Sequence, residues 1–319
     1  MILRTFGKTG WRVGEIGVGG WQFGGAITLD GKPDGWSGIT DTESVATVQR
    51  AVELGCNFFD TSDQYGWGRS EEILGQALQP CRDKVYIATK VGFGRDAAGY
   101  RTLNESRDYI IGACEASLRR LRTDHLDLYQ CHIWRTERWA EFLAAFDTLQ
   151  QAGKIRAFGV STNDLDMVLR FDEKRTLGAV QCNYNLFDRR AERDILPYCR
   201  ARGIAVIARG VLAMGKLTGK YNKNSQFAPD DIRSKWLAGE SRAEFDRQMD
   251  TVERLRPVAT RAGFTLPQLA VKFVLSNVAV SVAIIGVKDR AQVEAHVGTS
   301  MLPQITRDEM VAVQGSLQG

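Results

Sequence analysis

The feature of this sequence that most limits its fold is a regular alternation of short apolar runs with amphipathic stretches of helix length. Apolar runs fall at residues 16–20, 57–60, 85–90, 126–131, 155–160, 179–183, 205–209 and 281–285. Helical patterns cover 42–54, 70–78, 105–121, 137–151 and 193–202, and several are closed by glycine at Gly55, Gly153 and Gly203. Such an alternation predicts parallel strands joined by crossover helices. Eight strand–helix pairs close into an α/β (β/α)8 TIM barrel, a fold that often reaches this length as one domain, so a single domain over 1–319 is expected. Residues 212–239, rich in Gly, Lys, Asn and Asp, and the helical stretch 242–262 break the repeat. They read as a loop and helix insertion between strands seven and eight, either a cover for a ligand or a surface loop.

Hydrophobic residues at 44% and charged residues at 25% exclude a disordered, collagen-like or acidic-tail chain. The net charge of +4 is spread along the chain, so nucleic acid is not an expected partner. Six cysteines without CxxC or short Cys/His spacing imply neither a disulfide framework nor zinc. Residues 1–20 mix Arg, Lys and Glu with glycine and lack a signal-peptide core, and the nearly apolar stretch 278–287 is too short to span a bilayer. The reading is a cytoplasmic protein with no membrane partner.

Barrel active sites lie at the C-terminal ends of the strands, and three consecutive ends are polar. Asp60 follows Phe58-Phe59, Tyr65 lies in the loop beyond, Lys90 follows Ile87-Ala88-Thr89, and His132 follows Tyr129-Gln130-Cys131. Singly, an Asp there caps a turn, a Lys reaches solvent and a His packs beside the core. Together they form a chemical set: Asp60 pairs with Lys90, and the ammonium draws the Tyr65 phenol from its ordinary pKa near 10 toward neutrality. Tyr65 is then a candidate general acid and His132 a group that orients or polarises a carbonyl oxygen. A hydride must come from a nicotinamide. Gly17-Val18-Gly19-Gly20 has the wrong spacing for the dinucleotide fingerprint of a Rossmann domain, which disfavours that fold.

These residues resemble the aldo-keto reductase family, whose members are (β/α)8 barrels that use NAD(P)H without a Rossmann domain. Phe58 to Gly66 is similar to the family's Asp and Tyr segment, Ile87 to Lys90 to its lysine strand, and Asp124 to His132 to its histidine strand. The resemblance implies Asp60, Tyr65, Lys90 and His132 as the catalytic residues. It further implies Gly20, Trp21, Ser161, Gln181, Arg209, Leu212, Met214, Gly215, Lys220, Gly286, Lys288, Arg290 and Gln292 as cofactor-binding positions, with Ser161 and Gln181 on the nicotinamide carboxamide. Trp21, Trp67 and Trp134 are candidates for a pocket that takes a small carbonyl compound with apolar or sugar-like surface.

Three departures stand out. Thr162 occupies the family's usual Asn position, with Asn163 one place later. Arg209 replaces the aromatic that commonly stacks on the nicotinamide; a guanidinium there either stacks, disfavouring the cationic oxidised ring, or pairs with a carboxylate. Ala295-His296 stands where relatives commonly carry Glu-Asn, so adenine contacts differ. Lys288 and Arg290 at a helix start could meet a 2′-phosphate, so NADP(H) is expected over NAD(H).

The leading expectation is an NADPH-dependent reductase of aldehydes or ketones, with hydride from the nicotinamide and the proton from Tyr65. Two alternatives remain: a cofactor-binding accessory or sensor subunit of the potassium-channel type, disfavoured by the short segment before strand one, and a Schiff-base aldolase using Lys90. Substrate identity, direction and oligomeric state are open.

Overall fold

Eight parallel strands form, each ending within one residue of its expected bounds: β1 Ile16–Gly19, β2 Phe58–Asp60, β3 Tyr86–Val91, β4 Leu126–Cys131, β5 Ile155–Ser161, β6 Ala179–Asn183, β7 Ala205–Arg209 and β8 Val280–Gly286. In this computed structural model, which describes residues 1–228 and 231–318, they close into a barrel in sequence order. Positions 229 and 230 of the 212–239 stretch, and position 319, lie outside the described residues.

Side chains on a strand alternate in and out of the barrel, and this period sorts its interior into layers. Phe58, Ala88, Leu128, Ala157, Ala179, Ile207 and Val282 form one buried apolar cluster. Two residues further along their strands come Asp60, Lys90, Gln130, Gly159, Gln181 and Arg209, so the interior turns polar toward the C-terminal ends. Below, a hairpin of Leu3–Thr5 and Arg12–Gly14 closes the floor. Its Phe6 stacks on Trp11 at 5.5 Å and meets Phe58 at 5.3 Å. With the bottom filled by rings, the polar layer lies toward the upper end.

The crossover helices are α1 Asp41–Glu53, α2 Arg69–Leu78, α3 Arg107–Leu121, α4 Trp139–Gln151, α5 Leu165–Phe171 and α6 Ile195–Arg202. The insertion after β7 holds two short 3-10 segments, Ala213–Thr218 and Ile232–Leu237, and α7 Glu240–Arg261. The crossover to β8 is α8 Leu266–Ser276, which opens with a capping box: Thr265 and Gln268 satisfy each other's backbone N–H groups. After β8 come α9 Arg290–Gly298, packed on α1, and α10 Arg307–Gln318, packed on α7. Two hairpins rise over the open end, Ala26–Leu29 with Lys32–Gly35 and Phe93–Arg95 with Arg101–Leu103. Among the described residues no helix is long and apolar enough to cross a membrane.

Candidate active site

Asp60 closes β2, and Lys90 lies two residues beyond the Ala88 that pairs with it, so both side chains enter the same polar layer. Lys90 is fully buried and Asp60 is 1% exposed. Lys90 Nζ donates to Asp60 Oδ1 at 2.5 Å and to the Thr61 carbonyl at 2.8 Å, and lies 3.3 Å from the Tyr65 hydroxyl. The other carboxylate oxygen, Oδ2, accepts from Gln181 Nε2 at 2.7 Å and Gln130 Nε2 at 3.3 Å. Burial alone would lower the Lys90 pKa, but Asp60 and Tyr65 outweigh it and hold the ammonium above its ordinary value.

Tyr65 reaches the lysine because the chain after β2 turns sharply. Its N–H donates to the Ser62 carbonyl, and Gly66 and Trp67 both take left-handed backbone conformations. A side chain at Gly66 would strike the Gly24 carbonyl, so the close approach requires glycine. The expected lowering of the phenol pKa is corrected by the structure: burial raises it more than Lys90 lowers it, and Asp60 adds to the rise. Tyr65 thus stays protonated at neutral pH. His132 sits edge-on to Tyr65, ring centroids 5.8 Å apart, with Nδ1 3.0 Å from Ser62 Oγ. Burial first, then the charges of Lys90, Arg209 and Arg101, push its pKa well below the ordinary value, so the imidazole is neutral.

Around this centre the other predicted positions divide. Ser161, 5% exposed, ends β5 beside Gln181, and Leu212, Met214 and Gly215 lie half-buried in the loop after β7. Arg209 ends β7, has no carboxylate partner among the described residues, and projects its charge on Tyr65 and His132. Lys288 lies over the Trp36 ring at 4.7 Å, and exposed Lys220 over Tyr221 at 4.9 Å. Trp21 meets Trp36 edge-on, and Trp67 lies under the Arg95 guanidinium.

Others are engaged by the protein itself. Gly20 is pressed against Ser70 Oγ and the Asp60 carbonyl, and Gly286 is covered by the Gln22 amide. Gln292 caps its own helix, its Oε1 taking the Lys288 N–H and its Nε2 donating to Asp289. Arg290 is exposed and paired with Glu43 at 3.2 Å. Thr162 is buried and its hydroxyl donates to the Trp134 carbonyl at 2.6 Å, while Asn163 accepts the Asn183 N–H. Trp134 itself is 67% exposed and lies beyond the end of β4 at Cys131.

With the geometry in place, the comparison with known proteins is decisive: the profile of the Aldo/keto reductase family matches residues 15–318. The chain belongs to the aldo/keto reductase family. It is 34% identical to aldo-keto reductase YhdN of Bacillus subtilis over 92% of this chain and 87% of that one. It is 30% identical to the NADH-specific methylglyoxal reductase of Escherichia coli, over 85% of each chain. A solved glycerol dehydrogenase from Gluconobacter oxydans superposes with a TM-score of 0.86 at 31% identity, covering 99% of this chain and 95% of that one.

This aldo-keto reductase also contains site residues that the strand-end reading passed over. Gln130 lies two residues before His132 on the inward face of β4, a period-two signal visible in the sequence. Trp36, 8% exposed, is carried by the first hairpin and contacts both Lys288 and the Arg233 guanidinium. That hairpin turns at Asp30-Gly31, both left-handed, and an Asp-Gly pair between extended runs is its sequence signal.

Proposed function

We propose that this aldo-keto reductase is an NADP(H)-dependent enzyme that reduces aldehydes or ketones, small or sugar-like carbonyl compounds, to alcohols. One observation carries the reading: a fully buried ammonium, Lys90, shared between the Asp60 carboxylate and the Tyr65 hydroxyl, with the neutral His132 ring across from the phenol. This set handles a proton at an oxygen atom and contains no hydride donor. What a bound reduced nicotinamide supplies there is the hydride. Tyr65, kept protonated by burial, is the general acid; Lys90 stabilises the phenolate left behind, Asp60 keeps Lys90 charged, and His132 donates to the carbonyl oxygen. The same high pKa at Lys90 makes it a poor amine nucleophile, which disfavours a Schiff-base aldolase.

The open end suits a dinucleotide. Ser161 Oγ and Gln181 Oε1 make no hydrogen bond within the described residues and are available to a carboxamide. The buried Gln22 Oε1 beside Gly286 is likewise unpartnered. Ala213, Met214 and Gly215 are all left-handed, a strained loop of the kind that brings backbone close to phosphate. Arg209 has no carboxylate partner among the described residues, which supports its stacking on a nicotinamide and favouring the neutral reduced form. Burial, with Arg233 and Lys220 nearby, lowers the Lys288 pKa; an added phosphate would relieve that crowding, which supports NADP(H) over NAD(H). A cavity of about 560 Å³ lined by Thr218, Phe264, Gln268, Ala295 and His296 lies beside this loop, suited to an adenine. All six cysteines are free, in keeping with a cytoplasmic protein.

The test is a fluorescence titration with NADPH, NADH and their oxidised forms on the wild type and on Lys288→Ala, followed by turnover on a panel of aldehydes and ketones. NADPH binding weakened in Lys288→Ala by roughly tenfold, about 1.4 kcal/mol, with carbonyl reduction, is the expected result. Tight binding without turnover would favour an accessory role, and no dinucleotide binding would overturn the reading.

A further inference from the structure

Ser62 Oγ lies between two groups of the site: 3.0 Å from His132 Nδ1 and 3.1 Å from Asp63 Oδ1. It also accepts the Gln64 N–H at 3.2 Å. A hydroxyl has one proton and two lone pairs, and one lone pair is taken by Gln64. Two complete arrangements remain. In one, a protonated Asp63 donates to Ser62 and Ser62 donates to His132 Nδ1. In the other, Ser62 donates to an ionised Asp63 and His132 Nδ1–H donates to Ser62. In both, the Ser62 hydroxyl donates its proton and fills both lone pairs; they differ in the protonation of Asp63 and in the position of the single imidazole proton, on Nε2 in the first and Nδ1 in the second.

We propose that Ser62 and Asp63 are positioning residues that select the tautomer of His132, a protonated Asp63 acting through the Ser62 hydroxyl to leave the imidazole proton on Nε2. This inference rests on the reductase reading, because only an Nε2–H, on the ring edge away from Ser62, can donate to a carbonyl oxygen. Loss of the Asp63 proton turns both hydrogen bonds around and leaves Nε2 as a bare acceptor facing the substrate. The exchange balances with solvent: Asp63 gives up one proton to it, Ser62 redirects its own, and the ring keeps a single proton that passes from Nε2 to Nδ1.

The surroundings of Asp63 favour the protonated form at neutral pH. Glu71 of α2 faces it, with the Glu71 carboxylate held by Thr89 of β3 and Arg120 of α3. Tyr109 of α3 and Tyr129 of β4 are the remaining titratable neighbours, and the Asp63 N–H approaches the Lys90 carbonyl of β3. Among the described residues Arg120 is the cation that acts on it, and it is already paired with Glu71 at 2.6 Å. Burial and Glu71 push the Asp63 carboxyl up to about 8. The pair therefore switches just above neutral pH, where His132, being neutral throughout, has no charge change of its own.

The experiment combines two readouts on the intact protein. Imidazole ¹⁵N spectra, with His132 assigned by His132→Asn, should show the Nε2-protonated ring below pH 8 and conversion to the Nδ1-protonated ring above it. In Asp63→Asn the amide donates to Ser62 at every pH, so the Nε2-protonated ring should persist. Reductase kcat/KM should fall through pH 8 in the wild type and not in Asp63→Asn. In Ser62→Ala the pH 8 limb should vanish from a rate lowered by roughly 10- to 100-fold, the range for loss of an imidazole-orienting partner. Ser62→Thr, which keeps the hydroxyl, should restore the limb and so separates tautomer control from misfolding. Spectra and profiles of Asp63→Asn that superimpose on wild type would overturn the proposal. The spectra need no substrate, so failure of the reductase reading would leave them intact and be told apart.

Discussion

Gln181 Nε2 donates to Asp60 Oδ2 at 2.7 Å, which ties a residue facing the open end to the carboxylate that keeps Lys90 charged. Ser161, its neighbour across the β5–β6 pair, has no such link. Replacing Ser161 with Ala should therefore weaken dinucleotide binding and leave kcat nearly unchanged. Replacing Gln181 with Met should weaken binding and also lower kcat by roughly tenfold, since Asp60 loses a hydrogen bond to a charged group. Dissociation constants and kcat measured side by side on the two variants check this.

The Lys90–Asp60 pair is buried on both sides, and removing one partner strands the other charge. Lys90→Met should lower unfolding stability by about 3–5 kcal/mol, measured by urea denaturation, while a Lys90→Met, Asp60→Asn double variant should recover part of the loss.

Burial holds the Tyr65 phenol above its ordinary pKa of 10.0, so the acid form persists across the neutral range. Reduction needs the protonated phenol and should not decline through Tyr65 below pH 10, whereas alcohol oxidation needs the phenolate and should rise with pH. Any alkaline limb of reduction below that range belongs to another group. Tyr65→Phe should lower reduction by about 10²- to 10⁴-fold with dinucleotide affinity retained, as read from pH-resolved kinetics and titration.

Burial also lowers His296, from 6.5 to about 4. The unfolded chain takes up a proton at this residue from pH 6.5 downward, while the folded chain resists until about 4, so stability falls as pH drops through that window. The loss is at most about 3 kcal/mol by linkage. His296→Gln should be less sensitive by that share when unfolding midpoints are compared at pH 7 and pH 4.

The barrel was legible because parallel strands buried on both faces leave continuous apolar runs, and its catalytic end because those runs stop at Asp60, Lys90 and the residue before His132. What escaped depended on three-dimensional surroundings. The Tyr65 pKa turns on burial, which opposes the nearby lysine and leaves no local mark in the sequence. Gln130 sits among apolar neighbours inside its strand, so its period-two spacing from His132 gains meaning only once the inward face of β4 is known. Gln292, a cofactor position that the resemblance implies, also completes the cap of its own helix, a role that its place in the sequence does not announce. Trp134, two residues from His132, is largely exposed, a degree of burial that sequence adjacency does not fix.

The barrel closes where β1 pairs with β8, Ile16 beside Ala283 and Gly19 beside Gly286. During synthesis the chain therefore has all four central side chains in hand by residue 132 and still lacks a reaction vessel. Until residue 286 has emerged from the ribosome, β1 and β7 are open edges, and the burial that sets the Tyr65 and His132 pKa values is incomplete. The electrostatics of the four central residues therefore belong to the closed barrel and not to the segment that carries them.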